Sequence, residues 1–245
     1  RLFFLETQDM FNSNQFDHRL FFSRRIGING GVPVPIIAGL RLPGNKERWQ
    51  YGLMSLQTKS NDESSQALYN NSLARVKYNL GKRGSYIGFL SSSKIATRDY
   101  NVLTAFDSNI RFTETVRSRF TFGATFDKEK GNWKPFNGLD INTLKANGFG
   151  INYRFRAYHE DFNPELGFVS RPNSKRLTLN HGWRKTFVNH KSLRFLSTGI
   201  YSTASWLSSN GNQELSQVNI YAFIRLKNGL APGVIGPIYQ EDNLY

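Results

Sequence analysis

Residues 147–158 read NGFGINYRFRAY, and their period decides how the rest of the chain is read. The odd positions are Phe149, Ile151, Tyr153, Phe155 and Ala157; the even positions are Gly148, Gly150, Asn152, Arg154 and Arg156. A strand sends successive side chains to opposite faces, so this segment has one apolar face and one polar, cationic face. A helix would mix the arginines with the aromatics and bury neither face cleanly. Twelve residues is long for a soluble strand, whereas a tilted strand crossing a bilayer needs roughly 9–11. The segment predicts one wall element of an all-β fold, a transmembrane antiparallel up-and-down β-barrel.

The same pattern recurs on both sides. Phe120, Phe122, Ala124 and Phe126 alternate with Arg117, Arg119, Thr121, Gly123 and Thr125. Ala74, Val76, Tyr78 and Leu80 alternate with Arg75, Lys77 and Asn79. Trp49, Tyr51 and Leu53 line one face of a strand to about Thr58, and Leu177, Leu179, His181 and Trp183 line another. Val218 to Leu226 is the last clear strand, and weaker patterns cover 36–42, 86–93, 100–112 and 193–203. Pro43-Gly44-Asn45 predicts a turn. Residues 59–71, 128–146 and 205–216 read as loops, Glu165 to Ser170 as an extra strand, and the tail after Leu226 as having no sustained alternation. The expectation is about ten or eleven strands over 32–245, preceded by a pre-barrel, plug-like segment over 1–31. Bacterial barrels carry an even number of strands and alternate short with long connections, so a larger barrel of which this is a part is expected.

Composition fits a barrel. Aromatics are 14% of the 245 residues, yet mean hydropathy is −0.48, because apolar and polar residues interleave. No uninterrupted apolar run of roughly 18 residues suggests a spanning helix. The absence of cysteine excludes disulfides and thiolate metal sites. The net charge of +14 favours anionic partners, and it is spread along the chain rather than gathered into a tail. The chain opens on Arg1 with no signal peptide, so for an exported protein a mature or internal piece is expected.

The polar face carries the candidate site. Arg117 with Arg119, and Arg154 with Arg156, are spaced by two and share a strand face. Turned to a closed interior, they either make it positive and favour anions, or pair with carboxylates such as Asp107 and Asp127 or with plug residues; pairing is the expectation. Trp49, Tyr51, Tyr100, Tyr158, Trp183 and Trp206 are expected at the membrane–water interfaces. None of His18, His159, His181 and His190 has metal-ligand spacing, and His159-Glu160-Asp161 fits a strand-end turn. The Ser91-Ser92-Ser93 run has no identifiable histidine and acid partners. No catalytic residue, cofactor or metal is expected, and Gly148 and Gly150 are read as relieving crowding in a curved strand.

Three blocks carry a resemblance: LFFSRRIG (20–27, with Ser23, Arg24, Arg25 and Gly27), VPVPIIAGLRLPGN (32–45) and WQYGLMSLQT (49–58). With the later ELGFVSR (165–171), they resemble a family of Bacteroidota outer-membrane proteins. In that family a periplasmic domain resembling a family 9 carbohydrate-binding module precedes a large barrel of unassigned function. The resemblance implies a Gram-negative outer-membrane location and a barrel continuing past Tyr245. It carries over neither a sugar site, whose domain is not in this sequence, nor any catalytic residue. The expected function is non-enzymatic: a porin-like channel, or a scaffold in an envelope complex. Its partners would be outer-membrane lipid or lipopolysaccharide and other envelope proteins or lipoproteins, with no nucleic acid. The competing classes are a lipid-modifying barrel enzyme and a soluble basic nucleic-acid-binding β protein.

Overall fold

The computed structural model describes residues 11, 18–29, 31–60, 67–81, 83–143 and 147–242. The expectations for Phe3-Phe4 and for residues 61–66 of the 59–71 loop lie outside the described residues, and 69–71 of that loop belong to a strand. Three short strands come first: β1 (His18–Arg19), β2 (Ile28–Asn29) and β3 (Val32–Pro33), with a 3₁₀ turn at Ser23–Arg25. The main strands are β4 (Ile36–Lys46), β5 (Trp49–Thr58), β6 (Tyr69–Asn79), β7 (Tyr86–Ala96), β8 (Asp99–Arg111), β9 (Val116–Asp127), β10 (Trp133–Thr143) and β11 (Gly148–Tyr158). After the short β12 (Phe168–Val169) come β13 (Ser174–Thr186), β14 (Leu193–Leu207), β15 (Gln213–Leu226) and β16 (Gly233–Asp242). The fold is all-β. Twelve strands, β4 to β11 and β13 to β16, form one sheet in which each lies beside its neighbour in sequence. The sheet is not closed: β4 and β16 are its two edges.

The strand count exceeds the sequence expectation, and four segments differ from it in number or in bounds. Pro43-Gly44-Asn45 is not a turn; β4 runs through it, and the hairpin turns at Glu47-Arg48, with Glu47 in the left-handed region at φ 51°. An edge strand tolerates proline, and the Tyr51 ring lies over Gly44, filling the space its missing side chain leaves. Residues 133–143, expected within a loop, form β10, in which the inward Phe136 and the Pro135 that follows Lys134 mask the alternation. The tail forms β16, whose Pro237 sits at a register irregularity opposite Asn219. Conversely, the strand expected over 165–170 shrinks to β12, which pairs with β1 outside the main sheet.

By contact density the chain divides into two units. One comprises Arg1–Asn109, Phe120–Asn137 and Tyr158–Pro172; the other Ile110–Arg119, Gly138–Ala157 and Asn173–Tyr245. In the first unit the strands from β5 to β9 keep parity. Leu53, Ile87, Phe106 and Phe122 stand on the exposed face, while Leu56, Leu73, Arg75, Leu90, Asp107 and Thr121 are buried on the other. The core of this unit joins that buried face to Leu20, Phe21 and Ile26 from the chain start and to Phe162 and Leu166 from the segment after β11. In the second unit Phe149, Ile200 and Ile220 are exposed, while Asp140, Arg156, Thr203 and Asn219 are buried.

Candidate functional site

The arginines singled out by spacing sit where parity puts them, on the polar face of β9 and β11. In the second unit Asp140 of β10, fully buried, is the carboxylate that Arg119 and Arg154 share. Arg119 Nη2 donates to Asp140 Oδ2 at 2.7 Å, and Arg154 Nε approaches the same oxygen at 3.6 Å. Asn142 Nδ2 donates to Asp140 Oδ1 at 3.0 Å, so both carboxylate oxygens are occupied. Arg156, 2% exposed, donates from Nη1 to the backbone carbonyls of Phe155 at 2.6 Å and Leu139 at 3.2 Å. Arg117 joins the same face, half-buried. One acid thus draws together guanidiniums from two flanking strands, as a low-dielectric interior demands of buried charge.

Pairing with a carboxylate is seen for Arg119 and Arg154, on Asp140 rather than on the two acids expected. Asp107 pairs with Arg75 and Asp127 with Lys134. Asp140 lies in β10, within the segment expected to be a loop. The signal was there: Leu139-Asp140-Ile141-Asn142 alternates apolar with polar.

In the first unit the polar face carries further ions. Arg75 and Lys134 are fully buried. Arg75 forms a bidentate pair with Asp107, whose Oδ2 also accepts the Tyr86 hydroxyl at 3.1 Å. Nearby, the segment between β11 and β13 docks on the same face. Asn101 donates from Nδ2 to the Asn163 carbonyl at 2.9 Å and accepts the Glu165 N–H at 3.1 Å; Lys94 Nζ donates to Glu165 Oε2 at 2.8 Å. Phe162 lies 4.6 Å from the Phe136 ring and 5.8 Å from Tyr158. Phe22 N donates to the Leu166 carbonyl at 2.7 Å, tying the stretch between β1 and β2 to this docked segment. Of the LFFSRRIG motif, Ser23 opens the 3₁₀ turn, Arg24 and Arg25 are exposed, and Gly27 takes φ 83°.

Tyr158, expected at an interface, is instead 4% exposed, because its even number places it with Arg154 and Arg156. The aromatics that do gather at strand ends on the exposed face of this unit are Trp49 with Tyr78, 4.7 Å apart, and the row Tyr100, Phe126, Trp133, spaced 5.9 and 5.2 Å. Trp133 was hidden in the same segment as Asp140.

The remaining candidates have local roles. His159 Nδ1 accepts the Asp161 N–H at 3.2 Å, and His190 Nδ1 accepts the N–H groups of Ser192 and Leu193. His181 hydrogen-bonds the Tyr153 hydroxyl. Among the described residues no group of three acids and histidines is placed to hold a metal ion. No described helix is long and apolar enough to cross a membrane, which says nothing of a barrel. Gly182 and Gly199, with Gly150 on the same polar face, make room there: the Tyr221 hydroxyl lies over the first two and donates to Asn180 Oδ1 at 3.1 Å. Compared with known proteins, the chain matches no family model, no curated protein and no solved structure.

Proposed function

We propose that the protein is a non-enzymatic outer-membrane β-barrel protein, acting as a scaffold or partner subunit of the bacterial envelope. The observation that carries this reading is an exposed apolar face backed by buried charge. Arg75 and Lys134 are 0% exposed, whereas Phe106 is 56% and Phe149 67% exposed. Water-soluble folds do the opposite, and an exposed apolar face is the informative exception. A barrel in lipid requires this arrangement, with apolar side chains outward and polar ones toward the interior. The aromatic rows of the first unit support it. Tyr100 and Ser108 lie eight positions apart along β8, with Ser108 on the rung of Ile87 and Tyr78. That is about 27 Å along the strand at the usual rise, or about 20 Å along the membrane normal at the usual barrel tilt, within reach of the roughly 25 Å apolar band between girdles. The scaffold reading is favoured over an open pore by the docked segments that fill the buried face of the first unit.

The test is fractionation of cells expressing the chain, followed by gel migration with and without boiling. Recovery in the outer membrane with heat-modifiable migration is expected; recovery in the soluble fraction without detergent would refute the reading. A second reading, an anion-selecting channel, is favoured by Arg117, Arg119, Arg154 and Arg156 around the single Asp140. Planar-bilayer conductance whose reversal potential moves toward cations in Arg154→Glu would select it; absence of conductance leaves the scaffold.

A further inference from the structure

On the exposed face of the first unit, two aromatic pairs stand on either side of a trough. Trp49 and Tyr78 form one wall and Phe89 and Phe106, 5.1 Å apart, the other; Val76 and Ile87 form the floor. The groove has a volume of about 460 Å³ and almost no polar lining. Its geometry follows from register. Trp49, Tyr78 and Ile87 are direct cross-strand partners on one rung, and Val76, Phe89 and Phe106 on the next rung of the same face. The large rings alternate diagonally across the strands, and the β-branched residues between them leave the gap.

The groove ends at a basic hairpin. Lys46 is the cross-strand partner of Trp49, so its side chain emerges on the same face beside the indole. Arg48 follows in the turn, and its carbonyl accepts the Asn79 N–H at 2.8 Å, which sets the hairpin against the end of β6. Lys46 and Arg48 are exposed, and Glu47 between them is the one acid of this hairpin. An apolar trough with an aromatic and two exposed cations at one end matches one kind of molecule in both its parts.

We infer that this groove is a binding site for an anionic glycerophospholipid, with an acyl chain lying along Val76 and Ile87 and the phosphate on Lys46 and Arg48. The inference rests on the membrane reading above and deepens it, from a general lipid-facing surface to one retained lipid. Trp49 belongs at the headgroup level, where indoles concentrate, and lysine and arginine beside an anionic headgroup act as point and forked donors.

The experiment uses the full chain purified in a nonionic detergent. Phosphatidylglycerol or phosphatidylcholine of identical acyl chains is added, and retained lipid is counted by native mass spectrometry. Phosphatidylglycerol is expected to be retained in preference, by roughly fivefold per cation engaged. The Lys46→Ala/Arg48→Ala double variant is expected to bring the two lipids within about twofold. Val76→Trp, which fills the trough and leaves the hairpin intact, is expected to lose both. Equal retention of the two lipids by the unaltered protein, or an unchanged preference in either variant, would overturn the inference. So would a detergent-stable dimer that Val76→Trp dissolves, since a second copy would then occupy the groove. If the protein is found in the outer membrane and retains no lipid, this inference fails alone. If it needs no detergent, the membrane reading fails first.

Discussion

Arg75 and Asp107 meet across a strand that lies between them. Nη1 reaches Oδ1 at 2.5 Å and Nη2 reaches Oδ2 at 2.7 Å, although Arg75 is on β6, Asp107 on β8, and β7 separates the two. Gly88, the β7 residue directly opposite Asp107, makes the crossing possible. Both side chains are essentially unexposed, so the pair is a fork-and-carboxylate match in a low-dielectric setting.

Removing one partner should therefore cost more than removing both. Asp107→Ala is expected to destabilise the folded protein by about 3–5 kcal/mol, because Arg75 is left charged and buried. The double variant Arg75→Met/Asp107→Leu should recover most of that loss. Urea titration in detergent micelles measures both; a double variant as unstable as Asp107→Ala would contradict the account.

Gly88 has a specific steric job. A Cβ there would lie 2.7 Å from Asp107 Oδ1 and 3.0 and 3.1 Å from the two Arg75 Nη atoms. Gly88→Val should cost about 1–3 kcal/mol through displacement of the pair. Gly236→Ala is the control, since nothing lies within 4 Å of its Cβ position. Equal effects in the same titration would count against the steric argument.

The two faces of β9 should respond oppositely to charge. Phe122 is about half exposed and Thr121, its neighbour, is fully buried. With Phe122 in lipid, Phe122→Arg should cost about 2–4 kcal/mol when folding into bilayers is measured. On a water-facing surface the same change would be nearly neutral, which is the outcome that would reject lipid contact.

The docked segment should open when its aromatic anchor is cut. Phe162 is 2% exposed and stacks on Phe136 and Tyr158. Phe162→Ala should cost about 3–5 kcal/mol locally and speed amide exchange across 159–169, leaving β13 to β15 protected. Uniform acceleration of all strands would show that this segment is not an independent unit.

One surface pair gives a signed pH effect. Lys130, in the turn between β9 and β10, lies 3.2 Å from Asp161, and that hydrogen bond and charge raise its pKa above the ordinary lysine value. A raised lysine pKa means the contribution is fully present below the unfolded value, near 10.4, and is lost as pH rises through the folded value. Stability should therefore be flat in this respect at neutral pH. Above about pH 10.4 the unaltered protein should lose its small margin over Lys130→Met, and equal pH profiles for the two would count against the pairing.

Much of this was legible in the residues, because a strand's period of two is a local property. The alternation of Phe149, Ile151, Tyr153 and Phe155 with Arg154 and Arg156 states in advance which side chains share a face, and the structure keeps them so. Where local chemistry speaks in two voices, reading failed. Lys134-Pro135-Phe136 and Gly236-Pro237 look like breakers, yet Pro135 and Pro237 both lie in strands, the latter on an edge.

What the chain determined by itself is thus the sidedness of its strands, since each side chain's direction follows from its position alone. What only the tertiary structure decided is the choice of partners. Asp140 serves Arg119 and Arg154, Asp107 serves Arg75, and Phe162 docks on Phe136 from beyond the end of β11. Those choices depend on strand neighbours and on the gaps glycine leaves between them, and neither is written in the spacing along one strand.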